Sequence, residues 1–222
     1  MEQIFKIGII DDDSSKVTQI MVKLLEGFGK ATSEKQEKYS MYKFFPIELE
    51  IKDELDEMIQ QVLEEKLDCV LVDYKLSSYK NVGYSGVEFA KSLGEVLFDF
   101  PIFILTSYED DLFLNEIFNA YQVFDFGRYL NEESERIELN YKIIEQILKT
   151  TKQKQKWEEE IKKLLPLAGQ SQEIDSQLLD LDAKLEKSIN GKNAIPDKIK
   201  KDLDSNKLTE LLNKIDDILG KE

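Results

Sequence analysis

The 222 residues include 30 Lys+Arg against 45 Asp+Glu, a formal charge of −15, with one Cys and no His. The lone Cys69 excludes a disulfide framework and a Cys-rich zinc site, and the absence of histidine excludes His-based triads, His-ligated metals and phosphohistidine on this chain. The acid is uneven: residues 1–150 hold 16 basic and 30 acidic side chains, residues 151–222 hold 14 and 15, and neither part offers the basic footprint that nucleic-acid phosphates require.

In chain order, Ile4 to Ile10 is a short β-branched run that reads as a buried strand. Ser14 or Ser15 can cap a helix whose Val17, Ile20, Met21, Leu24 and Leu25 recur three and four apart. Gly27 to Tyr42 is polar. Lys43 to Leu49 predicts a second strand, placed at an edge by Pro46. Leu55, Met58, Ile59 and Val62 mark a helix, and Cys69 to Val72 a third strand whose continuous apolar run suits burial on both faces. A helix over Val87 to Leu97 follows a Ser/Gly-containing loop. Pro101 to Leu105 is the fourth strand, Leu112 to Tyr121 a helix, and Val123 to Leu130 the fifth strand. Strands alternating with helices predict an α/β, flavodoxin-like, doubly wound parallel sheet of five strands in the order 2-1-3-4-5.

From Glu132 onward only helical spacing remains. Ile137, Tyr141, Ile144 and Leu148 form one stripe, and Lys149 to Lys156 is a polar stretch of four lysines without acid. Trp157, Ile161 and Leu164 resume the pattern up to Pro166. Ile174, Leu178, Leu181 and Leu185 form the next stripe, closed by Asn190-Gly191; Leu208, Leu212, Ile215 and Leu219 form the last, after a short helix following Pro196. The expected division is a domain over residues 1–132 and an all-helical module over 133–222. The module has no catalytic cluster and suits interaction or dimerisation. No run of about 18 apolar residues exists, so no membrane span is expected. Met1-Glu2-Gln3 leads directly into a strand-like segment without a signal-peptide layout, which makes a reducing cytoplasm the expected address.

The chemistry gathers where strands end. Asp11-Asp12-Asp13 follows the first strand, Asp73 ends the third, and Thr106-Ser107 ends the fourth. Ligands of an open parallel sheet bind beyond the C-terminal strand ends, and the order 2-1-3-4-5 makes the first and third strands neighbours. Carboxylates so close repel, which raises their pKa values or recruits a cation; oxygen donors favour Mg²⁺, which keeps water positions that a phosphate can take. A carboxylate beside such an ion can attack phosphorus to form an aspartyl phosphate, and the Thr106 hydroxyl can bond a phosphoryl oxygen.

Three runs carry a family resemblance: Ile9-Ile10-Asp11-Asp12-Asp13, Val70-Leu71-Val72-Asp73-Tyr74-Lys75-Leu76 and Ile104-Leu105-Thr106-Ser107. Together they resemble the receiver domain of two-component response regulators over residues 1–132, and Gly86-Val87-Glu88-Phe89 resembles that family's glycine and following helix. The resemblance implies Asp73 as phosphoacceptor, with Mg²⁺ held by Asp11, Asp12, Asp73 and the backbone carbonyl of Lys75. It implies Thr106 as the switch hydroxyl and Tyr129 as a switch aromatic. Receivers carry a lysine just after the fifth strand; here Phe126 to Glu133 has none, Glu132 stands in its place, and Arg128 is the candidate substitute cation. The loop between Asp73 and Gly86 is also longer than the family's, with Ser77 where a proline is common.

The implied function is signalling rather than enzymatic. A sensor histidine kinase or phosphotransfer protein phosphorylates Asp73, and the helical module changes its pairing, as a homodimer or with a protein effector. The competing reading is a phosphate sink or non-switching scaffold. A third resemblance class, the haloacid-dehalogenase-like phosphatases, would use Asp11 as nucleophile and Asp13 two residues on, but their motif order differs from the order here.

Overall fold

A computed structural model describes residues 2–28, 31–76, 82–107, 122–191, 194, 195 and 199. The strands are β1 (Gln3–Ile10), β2 (Tyr42–Glu48), β3 (Cys69–Asp73), β4 (Ile102–Thr106) and β5 (Val123–Asp125). They form one sheet in the order β2-β1-β3-β4-β5, with every neighbouring pair parallel. This is the 2-1-3-4-5 order expected of a flavodoxin-like, doubly wound sheet. The two innermost strands after β1, β3 and β4, are buried at every position, which explains their unbroken apolar runs. Pro46 sits on edge strand β2, where a missing N–H breaks no internal ladder.

The helices around the sheet are α1 (Ser14–Glu26), α2 (Ser33–Tyr39), α3 (Leu55–Glu65) and α4 (Gly86–Val96). Val17, Ile20 and Leu24 turn one stripe of α1 inward, and Met58, Ile59 and Val62 do the same for α3. The cap of α1 is Asp13, not Ser14 or Ser15: its Oδ1 accepts the Ser15 N–H at 2.9 Å. Helix α2 arises inside the stretch that reads as merely polar, because one residue, Tyr39, anchors it. Tyr39 is buried, edge-on to Tyr141 and bonded through its hydroxyl to Glu145 at 2.5 Å.

The fifth strand is shorter than expected. β5 ends at Asp125, and residues 126–131 form α5 (Phe126–Asn131) instead of continuing to Leu130. Asp125 stops the strand by capping that helix, its Oδ1 accepting the Arg128 N–H at 2.5 Å. Beyond β5 every described element is helical: α5, α6 (Glu133–Leu164), a 3₁₀ turn over Leu165–Leu167, and α7 (Gln172–Asn190). α6 runs unbroken through Lys149–Lys156, since straight-chain lysines are good helix formers. The expected helix over 112–121, the short helix after Pro196 and the stripe from Leu208 to Leu219 lie outside the described residues.

The chain divides into two compact units, one of Met1–Glu95 with Asp99–Thr150 and the other of Val96–Phe98 with Thr151–Glu222. In the first, Leu139, Ile143, Ile144 and Ile147 of α6 join the core cluster that contains Ile7, Ile20, Leu71 and Leu105. The sheet-bearing unit therefore continues past residue 132, where the sequence changes character. In the second, Trp157 is buried with its ring 6.0 Å from that of Phe98, and the Gly191 N–H donates to the Val96 carbonyl at 2.8 Å. Gly191 is at φ −66°, an ordinary helical value; what it supplies is closeness, since a Cβ there would lie 2.2 Å from the Val96 oxygen. No helix among the described residues is long and apolar enough to cross a membrane.

Candidate functional site

Parallel pairing brings the acidic residues together. β1 and β3 are in register as Ile10↔Val72, so the next residues along, Asp11 and Asp73, leave the sheet side by side. β3 and β4 pair as Asp73↔Leu105, which places Thr106 one step beyond on the adjoining strand. Asp11 and Asp73 are each 7% exposed and Thr106 is fully buried. One carboxylate oxygen from each of Asp11, Asp12 and Asp73 lies within 4.8 Å of the others. Such a group of hard oxygen donors, two of them withdrawn from water, can hold a metal ion.

Backbone groups orient these side chains. The Asp11 Oδ1 accepts the Asp13 N–H at 2.8 Å, and the Asp73 Oδ2 accepts the Lys75 N–H at 3.1 Å. The Gly86 N–H donates to the Tyr74 carbonyl at 2.9 Å, tying the start of α4 against the end of β3. A Cβ on Gly86 would stand 1.9 Å from the Asp73 carbonyl oxygen, so only glycine allows this approach. Asp13 spends a carboxylate oxygen on the α1 cap and is not one of the three clustered acids.

The structure adds a residue that the motifs do not contain. The Lys16 Nζ lies 3.6 Å from Asp73 Oδ1 and 3.9 Å from Asp11 Oδ2. It also stands 5.3 Å from the centroid of the Phe126 ring. The signal was present in the spacing: Lys16 is in the first turn of α1, and helical side chains lean toward the N-terminus, back to the strand end.

Arg128 and Tyr129 lie elsewhere. Arg128 is about half exposed and forms ion pairs with Glu135 and Glu132. Tyr129 is 1% exposed within the core cluster, and its hydroxyl has no hydrogen-bond partner among the described residues. Burial drives its phenol well above the usual range. Cys69 is fully buried, its thiol likewise pushed up by burial.

Burial also sets the charge state of the acids. It pushes Asp11 up to about 7, with Asp73 and Asp12 adding to the rise and the Asp13 N–H and Lys16 opposing it. Asp73 is raised for the same leading reason, against the pull of Lys16. At Lys16 burial works against the charge, but Asp73, Asp11 and Asp13 outweigh it and hold the ammonium above its ordinary value. A carboxyl raised from 3.8 to about 7 keeps in the folded state a proton that the unfolded chain has lost, so stability falls as pH rises through that window. Without divalent ions, the protein is expected to melt higher at pH 5 than at pH 8. Asp11→Asn should remove about 1–2 kcal/mol of that slope, a linkage figure discounted for partial solvation. Thermal melts of both chains across pH test this, and an unchanged slope in the variant would refute it.

No family model and no curated protein matches the chain. Among solved structures it is similar to the anti-anti-sigma factor PhyR from Bartonella quintana, with 13% identity and a TM-score of 0.43, over 70% of this chain and 52% of that one. It thus spans about half of PhyR's length. A fusion carrying the yeast Spc42 trimeric coiled coil is also similar, at 15% identity and TM-score 0.39, over 81% of this chain and 92% of that one.

Proposed function

We propose that this is a response-regulator-like signalling protein that accepts a phosphoryl group on Asp73. The observation that carries the reading is the convergence of Asp11, Asp12 and Asp73 at the C-terminal ends of adjacent strands, beside buried Thr106. The donor set fits Mg²⁺: three clustered carboxylates, of which Asp11 and Asp73 are partly desolvated acids whose charge a cation would stabilise, and the family resemblance adds the Lys75 carbonyl as a fourth oxygen. When bound, Mg²⁺ supplies positive charge to the phosphoryl oxygens.

The residues then divide the work. Asp73 attacks phosphorus with one carboxylate oxygen; the donor's P–N bond breaks, and its electron pair leaves with nitrogen. The Lys75 N–H holds the Asp73 carboxylate in orientation before attack. The Thr106 hydroxyl, on the adjoining strand end, is the group assigned to a phosphoryl oxygen. In this reading the phosphoryl source is a histidine kinase or phosphotransfer protein, as the receiver resemblance implies; this chain has no histidine to serve as the donor itself. The output is a changed interaction of the C-terminal helices with a second copy or a protein effector, with no nucleic acid or membrane involved. A cytoplasmic setting goes with these partners.

A second reading, a receiver that stores phosphate without switching, draws support from the positions of Arg128 and Tyr129. One is paired with glutamates and the other is packed in the core. The phosphatase reading built on Asp11 is less favoured, since one oxygen of its partner acid Asp13 accepts the Ser15 N–H as the α1 cap and Asp13 is not among the clustered acids.

Incubation with phosphoramidate and Mg²⁺ is expected to give a hydroxylamine-labile adduct, seen by intact mass, that Asp73→Asn abolishes. Absence of any adduct, from phosphoramidate and from a cognate kinase alike, would overturn the reading. Steady phosphate release that depends on Asp11 would favour the hydrolase instead. An adduct that leaves oligomeric state and partner binding unchanged would favour the sink.

A further inference from the structure

We propose that Lys16 is the phosphoryl-binding cation of this site, delivered from the first turn of α1; the inference rests on Asp73 being the phosphoacceptor. Its ammonium spans both buried acids, at 3.6 Å from Asp73 Oδ1 and 3.9 Å from Asp11 Oδ2. Both separations are ion-pair distances, so the group is drawn to both acids, and more strongly to Asp73, its nearer partner. Its side chain is 24% exposed, against 2% for that of Asp11 and 7% for that of Asp73, so it is the most open of the three paired groups. The ammonium also lies over the buried Phe126 ring at the start of α5, its Nζ 5.3 Å from the ring centroid.

The charge arithmetic fits the same role. With the acids ionised, the form in which they hold a cation, Asp11, Asp12 and Asp73 carry three negative charges against one positive charge on Lys16, a deficit that one divalent ion matches. Phosphorylation turns the Asp73 carboxylate into an acyl phosphate with more negative charge, set where Oδ1 now faces Lys16. The ammonium then moves from carboxylate to phosphoryl oxygen by rotation of its own side chain. The step is redox-neutral: the Asp73 O–P bond forms, the donor's P–N bond breaks, and the electron pair departs with the donor. Arg128 does not compete for this role, since its guanidinium is held by Glu135 and Glu132.

The test uses the full chain with phosphoramidate and saturating Mg²⁺, comparing wild type, Lys16→Met, Lys16→Arg and Asp73→Asn. Lys16→Met keeps an apolar side chain of similar length and removes the charge, together with its cation–π contact to Phe126. It is expected to slow adduct formation on the order of 100-fold, the loss typical of removing one electrostatic donor from a reacting centre. Lys16→Arg should recover all but about tenfold of it. A Mg²⁺ titration provides a readout independent of turnover. Lys16→Met should bind the ion as tightly as wild type or more tightly, because a competing cation is gone. Wild-type adduct formation in Lys16→Met, with none in Asp73→Asn, would overturn the role of Lys16 and leave Asp73 standing. Weaker Mg²⁺ binding in Lys16→Met would overturn it too, by making Lys16 a structural prop of the acids. No adduct in wild type would overturn both.

Discussion

A chain ended at residue 132 is expected not to fold, whereas one ended at 150 should unfold cooperatively. The shorter chain keeps all five strands but loses Leu139, Ile143, Ile144 and Ile147, which are 0–3% exposed in the core of the sheet-bearing unit. Burying one such side chain is worth about 1.5–3 kcal/mol, so four amount to roughly 6–12 kcal/mol, comparable to the whole stability of a typical domain. Polar ties go with them: the Asn140 Nδ2 donates to the Gly27 carbonyl at 3.1 Å, and Glu145 holds the Tyr39 hydroxyl. Urea titration followed by circular dichroism compares the two chains. A sigmoidal transition in the 132-residue chain would show that α6 is an accessory and not part of the core.

Gly86→Ala is expected to damage both stability and the site. The added methyl would meet the Asp73 carbonyl oxygen at 1.9 Å and the carbonyl carbon at 2.9 Å, and both atoms are backbone that no rotamer change can clear. Overpacking a well-packed position costs about 1–3 kcal/mol, and a clash with main chain belongs at the top of that range or above it. Relief requires α4 and the end of β3 to separate, which breaks the Gly86 N–H bond to the Tyr74 carbonyl and moves Asp73 relative to Asp11. The variant should therefore melt several degrees lower and bind divalent ions more weakly at the temperature where it remains folded. Ala at Gly94, where nothing lies within 4 Å of a Cβ, is the control and should be neutral or slightly stabilising. Equal behaviour of the two alanine variants would contradict the close approach at Gly86.

How much of this was readable beforehand depends on the kind of signal. β1, β3 and β4 announced themselves because buried parallel strands are continuous apolar runs, and Pro46 correctly marked β2 as an edge. The three acids were legible because they end strands, and strand ends of a parallel sheet converge. α2 was hidden because Ser33 to Lys38 carries no apolar stripe; the buried Tyr39 anchors it, with Lys35 and Lys38 ion-paired to Glu138 and Glu145 of α6. β5 was overdrawn because Phe124 and Phe126 suggest alternation. Phe126 and Tyr129, three apart, were the competing helical signal, and the Asp125 cap decided between them. Lys16 was missed because the motifs were read along the strands, while the lysine arrives from the helix that follows.

The partition of the core also bears on how the protein is made. β1 lies inside the sheet between β2 and β3, so its partners are synthesised later than it is. α1 contributes Val17, Ile20 and Leu24 to the cluster that these strands share, but the cluster is not complete until Leu139 to Ile147 of α6 have joined it. At ~5–20 residues per second, the interval between finishing β4 and supplying that helix is a few seconds. During it the nascent chain presents apolar strands whose cover is incomplete, and these are templates for wrong pairing. Chaperone engagement, or a pause in translation, is of most use to this protein between those two points.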